Sequence, residues 1–245
     1  IQLPKSLARA DAIITDSEFI KSEVHETLGI AESKIHVVPL GVSRQFKPYT
    51  AKESASTMKK HNLATCKYLL SVATLEPRKN LSGLLDAYLM LPKKIRQEYK
   101  LVIVGARGWL SEKLMQRIKN LVSKEEIIAL GYVSGSELHH LYARAHGFVF
   151  PSFYEGFGLP ILEAMASGVP VLTSNTSSLP EVAAGCALLT DAWDSKDIAQ
   201  GIVKLIEDEK WREESIAKGF HMAEKYSWEK CIENTVKVYA QVKSL

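Results

Sequence analysis

Short apolar runs alternate along this chain with longer stretches whose apolar positions recur at helical spacing, and that alternation restricts the fold more than any other feature. Strand-like runs fall at residues 68–73, 100–104, 127–133, 147–150, 170–174 and 187–189. Helical patterns occupy 81–91, 111–122, 136–145, 197–207 and 211–225, and an amphipathic stretch at 228–242 ends the series. Runs with no polar alternation belong to strands covered on both faces. Strand–helix–strand order then requires parallel neighbours joined by right-handed crossovers. The expectation is an α/β domain, a parallel sheet with helices on both faces, and 245 residues suffice for one large domain or one and a fraction.

The first residues give a smaller unit. Residues 11–15 read as a strand, Ser17 as an N-cap, 19–28 as a helix closed by Gly29, and 34–38 as a second strand. This β-α-β unit lacks the further strands that would complete its sheet, so residues 1–42 are expected to be the remnant of a preceding domain. Residues 43–65, with Pro48 and a Ser/Thr/Lys-rich run, read as a connection holding a short helix. The main domain is expected over 66–226. In the closing helix, 227–245, the apolar positions Cys231, Ile232, Thr235, Val236, Val238, Tyr239 and Val242 share one broad face. Some of that face is expected to be exposed and prone to self-association.

The densest chemistry lies at 150–170, Phe-Pro-Ser-Phe-Tyr-Glu-Gly-Phe-Gly-Leu-Pro-Ile-Leu-Glu-Ala-Met-Ala-Ser-Gly-Val-Pro. It reads as strand end, glycine loop, helix start and helix stop, with Pro160 in the first helical turn and Gly168 after the last. A glycine loop feeding a helix N-terminus aims free amides and the positive end of the helix dipole at one point, which suits a phosphate. Glu155 and Glu163 bracket it, and carboxylates accept hydrogen bonds from sugar hydroxyls. Residue types and spacing therefore indicate a polyhydroxylated phosphate ester; each glutamate alone would read as solvated, and each glycine as a turn.

Glu155 and Glu163 with seven residues between them, in that setting, resemble the E-x7-E motif of retaining GT-B glycosyltransferases of family 4. The similarity runs on through Gly168-Val169-Pro170-Val171 and Ser174-Asn175-Thr176-Ser177-Ser178-Leu179-Pro180-Glu181-Val182 and covers nearly the whole chain. It implies two Rossmann-like domains facing across a cleft, with residues 66–226 as the C-terminal, nucleotide-sugar-binding one. Glu155 would contact the donor hexose and stabilise positive charge developing at its anomeric carbon, and Glu163 would hold the ribose hydroxyls. Gly156, Phe157, Gly158 and Leu159 would form the backbone cradle for sugar and phosphate. No metal or other cofactor is expected, the substrate being a nucleoside diphosphate sugar.

Between the strand at 68–73 and the next helix lies Thr74-Leu75-Glu76-Pro77-Arg78-Lys79-Asn80. Two cations at a strand end suit a diphosphate, Lys79 as a point charge and Arg78 as a planar fork, although a basic turn beside a helix has the same composition. In relatives an arginine and a lysine serve here. Lys79 matches the lysine, whereas Thr74 stands where the arginine is often found, so either Arg78 substitutes or Lys79 works with backbone amides alone. The glycine turn at 105–108 and the loop at 131–133 border the nucleobase in the family, which nominates Gly105, Arg107 and Tyr132. Tyr132 either stacks on the base or packs in the core. Residues 73–80 resemble bacterial mannosyltransferases of surface polysaccharide synthesis, favouring GDP-mannose over UDP-glucose as donor and a glycan or lipid-linked acceptor.

Other classes fare worse. A formal charge of +3 gives no case for nucleic acid, and the clusters Lys59-Lys60 and Lys93-Lys94 with Arg96 read as solvated faces. Cys66, Cys186 and Cys231 are odd in number and widely spaced, without disulfide or zinc pattern, which fits a cytoplasmic protein. Membrane contact is expected to be peripheral, at the inner face, through the preceding domain. His139-His140 read as solvated. A dinucleotide-dependent oxidoreductase is disfavoured because Ile161 stands where Gly156-Phe157-Gly158 would need its last glycine. A non-catalytic nucleotide-sugar-binding module is the other alternative. The 245 residues are expected to bind donor but scarcely catalyse without the preceding domain.

Overall fold

The computed structural model describes residues 3–106, 108–109 and 112–243. Helix α1 (Leu3–Arg9), strand β1 (Ile13–Thr15), helix α2 (Glu18–Leu28) and strand β2 (Ile35–Val37) make the first unit, and α3 (Ala51–Lys60) follows. The main domain runs β3 (Lys67–Val72), α4 (Leu81–Met90), α5 (Lys93–Glu98), β4 (Tyr99–Val104), α6 (Glu112–Ser123), β5 (Ile127–Gly131), α7 (Gly135–Arg144) and β6 (Gly147–Phe150). It continues with α8 (Leu159–Ala166), β7 (Val171–Ser174), α9 (Leu179–Ala183), β8 (Leu188–Thr190), α10 (Ser195–Glu207) and α11 (Glu209–Ala223), and α12 (Trp228–Lys243) closes the chain.

The sheet of the main domain has six parallel strands in the order β5-β4-β3-β6-β7-β8. Residue parity divides its core. Tyr68, Leu70, Val102, Val104, Phe148, Phe150 and Val171 point to one face, where they meet Ile161 and Leu162 of α8 and Leu141 and Tyr142 of α7. Their neighbours Leu69, Leu101, Ile103, Ile127, Val149 and Leu172 point to the other, against Leu84, Leu85 and Tyr88 of α4 and Ile198, Ile202 and Leu205 of α10. A period of two within apolar runs thus feeds two cores at once, which is why those runs show no polar alternation.

In the first unit β1 pairs with β2 in parallel, Ser17 caps α2 by accepting from the Ile20 amide, and Gly29 ends it in the left-handed conformation. Residues 43–65 are more than a connection: Phe46, Met58 and Leu63 are buried in the core of the main domain. Helix α3 lies on α7, and this contact overturns the expectation that the paired histidines are solvated. His140 Nδ1 is 2.8 Å from the Thr57 hydroxyl, and the His139 ring meets Phe46 edge-on with centroids 4.6 Å apart. The lysine clusters are exposed as expected, Lys60 pairing with Glu137 at 2.5 Å at the surface, while Arg96 is partly buried against Glu126. The apolar face of α12 divides: Val238 is buried and Cys231 and Thr235 border β1, while Ile232, Val236 and Tyr239 are 57–62% exposed.

Candidate active site

Strand order reverses between β3 and β6. The crossovers from these two strands leave in opposite directions, so the loops after their C-terminal ends part and leave a crevice, the place where open α/β sheets take ligands. Residues 73–80 follow β3 and 151–158 follow β6. Asn80 ties the two loops together, donating to the carbonyls of Pro151 at 3.0 Å and Ala192 at 2.6 Å, while its own carbonyl oxygen caps α4 at the Gly83 amide. The Phe153 amide donates to the Arg78 carbonyl at 2.8 Å.

This arrangement aims Arg78 and Lys79 at Glu155. Lys79 Nζ lies 2.6 Å from Oε1 and Arg78 Nη1 2.7 Å from Oε2. Arg78 is held from behind by Glu76, whose carboxylate accepts from Nε at 2.9 Å. Glu76 and Glu155 are both largely buried, and the Lys79 side chain is 11% exposed. Two carboxylates and two cations thus make a neutral cluster in which each charge has a partner, as burial requires.

The loop carrying Glu155 is fixed from three sides. The Glu155 amide donates to the Ser177 hydroxyl at 3.0 Å, and the Ser178 hydroxyl, fully buried, shares its proton between the carbonyls of Glu155 and Phe157. From the first unit, the Ser17 hydroxyl donates to the Gly156 carbonyl at 2.6 Å. The Tyr154 hydroxyl bonds to Glu23; partial burial, with Glu23 beside it, pushes that phenol up to about 12.

A cavity of about 420 Å³ opens over the loop, lined by Arg78, Glu155, Gly156, Phe157, Gly158 and Leu159 together with Asp16 and Tyr154. Gly158 adopts φ +114° immediately before α8, and no side chain caps that helix. Pro160 has no N–H and the Ile161 amide donates to the Gly158 carbonyl at 2.9 Å, so the start of α8 offers the cavity the Leu159 amide, with the positive end of the helix dipole behind it. The Phe157 ring turns away into the core against Tyr226, leaving only its backbone to the cavity. Six residues singled out in the sequence line one space, and Lys79 touches it through Glu155.

Glu163 is placed differently. It is not among the residues lining this cavity; its carboxyl lies against the buried hydroxyl of Tyr142 of α7. Burial pushes the Glu163 carboxyl above the usual carboxylate range, and the Tyr142 hydroxyl offsets part of that rise. The folded state therefore binds a proton that the unfolded chain has released, and stability falls as pH rises from the ordinary glutamate value through the raised one. Glu163→Gln is expected to raise the urea midpoint at pH 8 and leave it unchanged at pH 4. An equal effect of the substitution at both pH values would show that the carboxyl titrates normally.

The base-binding candidates lie one and two strands away, after β4 and β5. Gly105 is pressed against the carbonyl of Ala73, and its amide donates to Gly131 at 2.9 Å. Tyr132 is 81% exposed, so the reading that packs it in the core is wrong and its ring is free to stack. Arg107 lies outside the described residues. Sequence reasoning missed Glu76, Asp16, Tyr154, Ser177 and Ser178. Glu76, two positions from Arg78 in a loop, was the one with a local signal.

The model of the family described as Glycosyl transferases group 1 matches residues 54–222, and that of Glycosyltransferase Family 4 matches residues 2–46. The chain belongs to the glycosyl transferases group 1 family. It is 41% identical over 237 residues to O-antigen chain mannosyltransferase B of Escherichia coli, covering 97% of this chain and 62% of that protein. It is 31% identical over 205 residues to O-antigen chain mannosyltransferase RfbU of Salmonella typhimurium, covering 84% of this chain and 53% of the relative. The chain thus spans little more than half the length of these two relatives. Among solved structures it is similar to sucrose-phosphate synthase from Thermosynechococcus elongatus, with TM-score 0.83 and 23% identity over 99% of this chain and 61% of the other. HepE of Anabaena, solved with UDP and glucose, gives 0.82 and 19%, over 96% and 64%. The fold is that of the GT-B glycosyltransferases, and family membership sets aside the oxidoreductase alternative. No helix among the described residues is long and apolar enough to cross a membrane.

Proposed function

We propose that this chain binds the donor in a retaining, family 4 mannosyltransferase, which moves mannose from GDP-mannose to a glycan or lipid-linked acceptor of surface polysaccharide at the cytoplasmic face of the membrane. The observation that carries the reading is the crevice at the strand-order reversal, where Glu155, Arg78 and the uncapped start of α8 meet, with Lys79 behind. The names of the relatives supply mannose and polysaccharide.

In this reading the diphosphate lies on the amides of 156–159. Arg78 and Lys79 turn part of their charge from Glu155 to the leaving phosphate as negative charge builds there. Glu155, freed in proportion, faces the anomeric carbon and stabilises its positive charge. Arg78 then does the work of the arginine for which Thr74 stands. Glu163 takes the ribose hydroxyls, whose bonds would add to the Tyr142 hydroxyl beside a half-buried carboxylate.

Titration calorimetry with GDP-mannose tests this. Glu163→Ala is expected to weaken binding about ten- to a hundredfold, the worth of hydrogen bonds to a charged group. GDP is expected to compete better than UDP. Undiminished affinity in the folded variant would remove Glu163 from the donor site, and stronger competition by UDP would overturn the choice of base.

A further inference from the structure

Trp193 is 74% exposed and yet firmly held. Its ring stacks on Phe153 with centroids 3.9 Å apart and planes 23° from parallel. Its amide donates to the Asp191 carboxylate at 2.8 Å, and the preceding Ala192, itself buried, accepts from Asn80 at 2.6 Å. With Phe153 covering one face, the other indole face is presented flat to solvent.

The position of this platform is specific. Asn80 is the residue that joins the loops after β3 and β6, Phe153 bonds to the Arg78 carbonyl, and Glu155 follows two residues later. We propose that Trp193 is an acceptor subsite, on which a pyranose ring of the growing glycan stacks while its end reaches the donor. This rests on the glycosyltransferase reading above.

The chemistry favours a sugar over other occupants. An aromatic face carries partial negative charge, and the C–H bonds on the apolar side of a pyranose carry partial positive charge. Hydroxyls at the ring edge then call for acceptors, and the exposed carboxylate of Asp191 is held at the Trp193 backbone amide. One flat ring is far smaller than the area a stable protein interface buries. Along 191–197 the charged side chains are Asp191, Asp194, Asp197 and a single cation, Lys196, a balance that repels an anionic bilayer.

Saturation-transfer NMR with an α-linked mannotetraose and no donor is the first test. Saturation is expected on ring C–H protons in the parent, to be lost in Trp193→Ala, partly kept in Trp193→Phe and unchanged in the surface control Tyr239→Ala. The second test is transfer from GDP-mannose by the intact enzyme. Trp193→Ala is expected to raise KM for the tetraose about tenfold, with the KM for GDP-mannose and the activity towards a monosaccharide acceptor unchanged. A variant that binds and uses the tetraose like the parent overturns the proposal while leaving the donor site standing. Weakened GDP-mannose binding in Trp193→Ala overturns it too, because the ring would then serve the nucleotide. Absence of any sugar-nucleotide binding by the parent defeats the underlying reading instead.

Discussion

Lys79→Met is expected to cut transfer by a factor of about 10³ or more, from loss of a cation that stabilises charge only as the diphosphate departs. Lys79 Nζ sits 2.6 Å from Glu155 with its side chain 11% exposed, so its charge acts where water screens little. Its removal also leaves Glu155 with Arg78 alone, and breaking one limb of a buried pair costs about 3–5 kcal/mol. The two losses overlap because both pass through Glu155, so they do not sum. Single-turnover transfer from GDP-mannose, alongside urea denaturation, separates them: Lys79→Met loses the chemical step by more than its fall in stability explains. Lys79→Arg is expected to recover only a part, since a planar fork does not occupy the position of a compact ammonium. Transfer within threefold of the parent in a folded Lys79→Met enzyme would leave the diphosphate to Arg78 and the backbone.

Gly105→Ala is expected to lose about 3 kcal/mol or more of stability and to lower Tm by roughly 6–12 °C. The backbone there has φ +155°, and an added Cβ would lie 1.7 Å from the Ala73 carbonyl oxygen. Neither atom can move alone. Beyond the ends of β3 and β4 the pairing continues from Ala73 to Val104 and from Leu75 to Ala106, and Gly105 is clasped between these bonds. Spreading them displaces the loop that carries Glu76, Arg78 and Lys79, so donor affinity is expected to fall with stability. Gly29→Ala is the comparison. Its φ is +65° with nothing within 4 Å of the new Cβ, so only backbone strain of about 1–2 kcal/mol is expected. Calorimetric melting of both variants checks the contrast, and equal losses would show that the contact with Ala73 relaxes cheaply.

What the sequence made legible follows from the range of the interactions. The four central strands of the main sheet were readable because their residues are buried on both faces and so carry their own signal, and the edge strands β5 and β8, partly exposed, were readable from their short apolar runs. Ser17 and Gly29 were readable as caps because a cap acts within four residues. Helices α5 and α9 were not, being six and five residues long and lacking a capping side chain; they persist through tertiary bonds such as that from the Tyr88 hydroxyl to the Arg96 carbonyl. The site divides in the same way. Gly158, Leu159 and Pro160 announce a helix start locally, but the pairing of Arg78 with Glu155 spans 77 residues and that of Ser17 with Gly156 spans 139. Nothing in the segment 43–65 signalled that Phe46, Met58 and Leu63 complete a core built by strands far along the chain.

The contact between the first unit and the Glu155 loop bears on how such chains are recombined. The carboxylate of Glu181 accepts from the amides of Glu18 and Phe19 at the start of α2, at 3.0 and 3.2 Å. Ser17 in the same turn bonds to Gly156. A chimaera that takes its first 46 residues from one relative and the remainder from another therefore cuts through this seam, even though the chain passes the junction smoothly. Grafts that retain both a hydroxyl at position 17, which reaches the Gly156 carbonyl, and a carboxylate at 181, which takes the amides of residues 18 and 19, should keep the Glu155 loop in register. Those that lose either side chain should yield proteins in which the Glu155 loop is poorly seated.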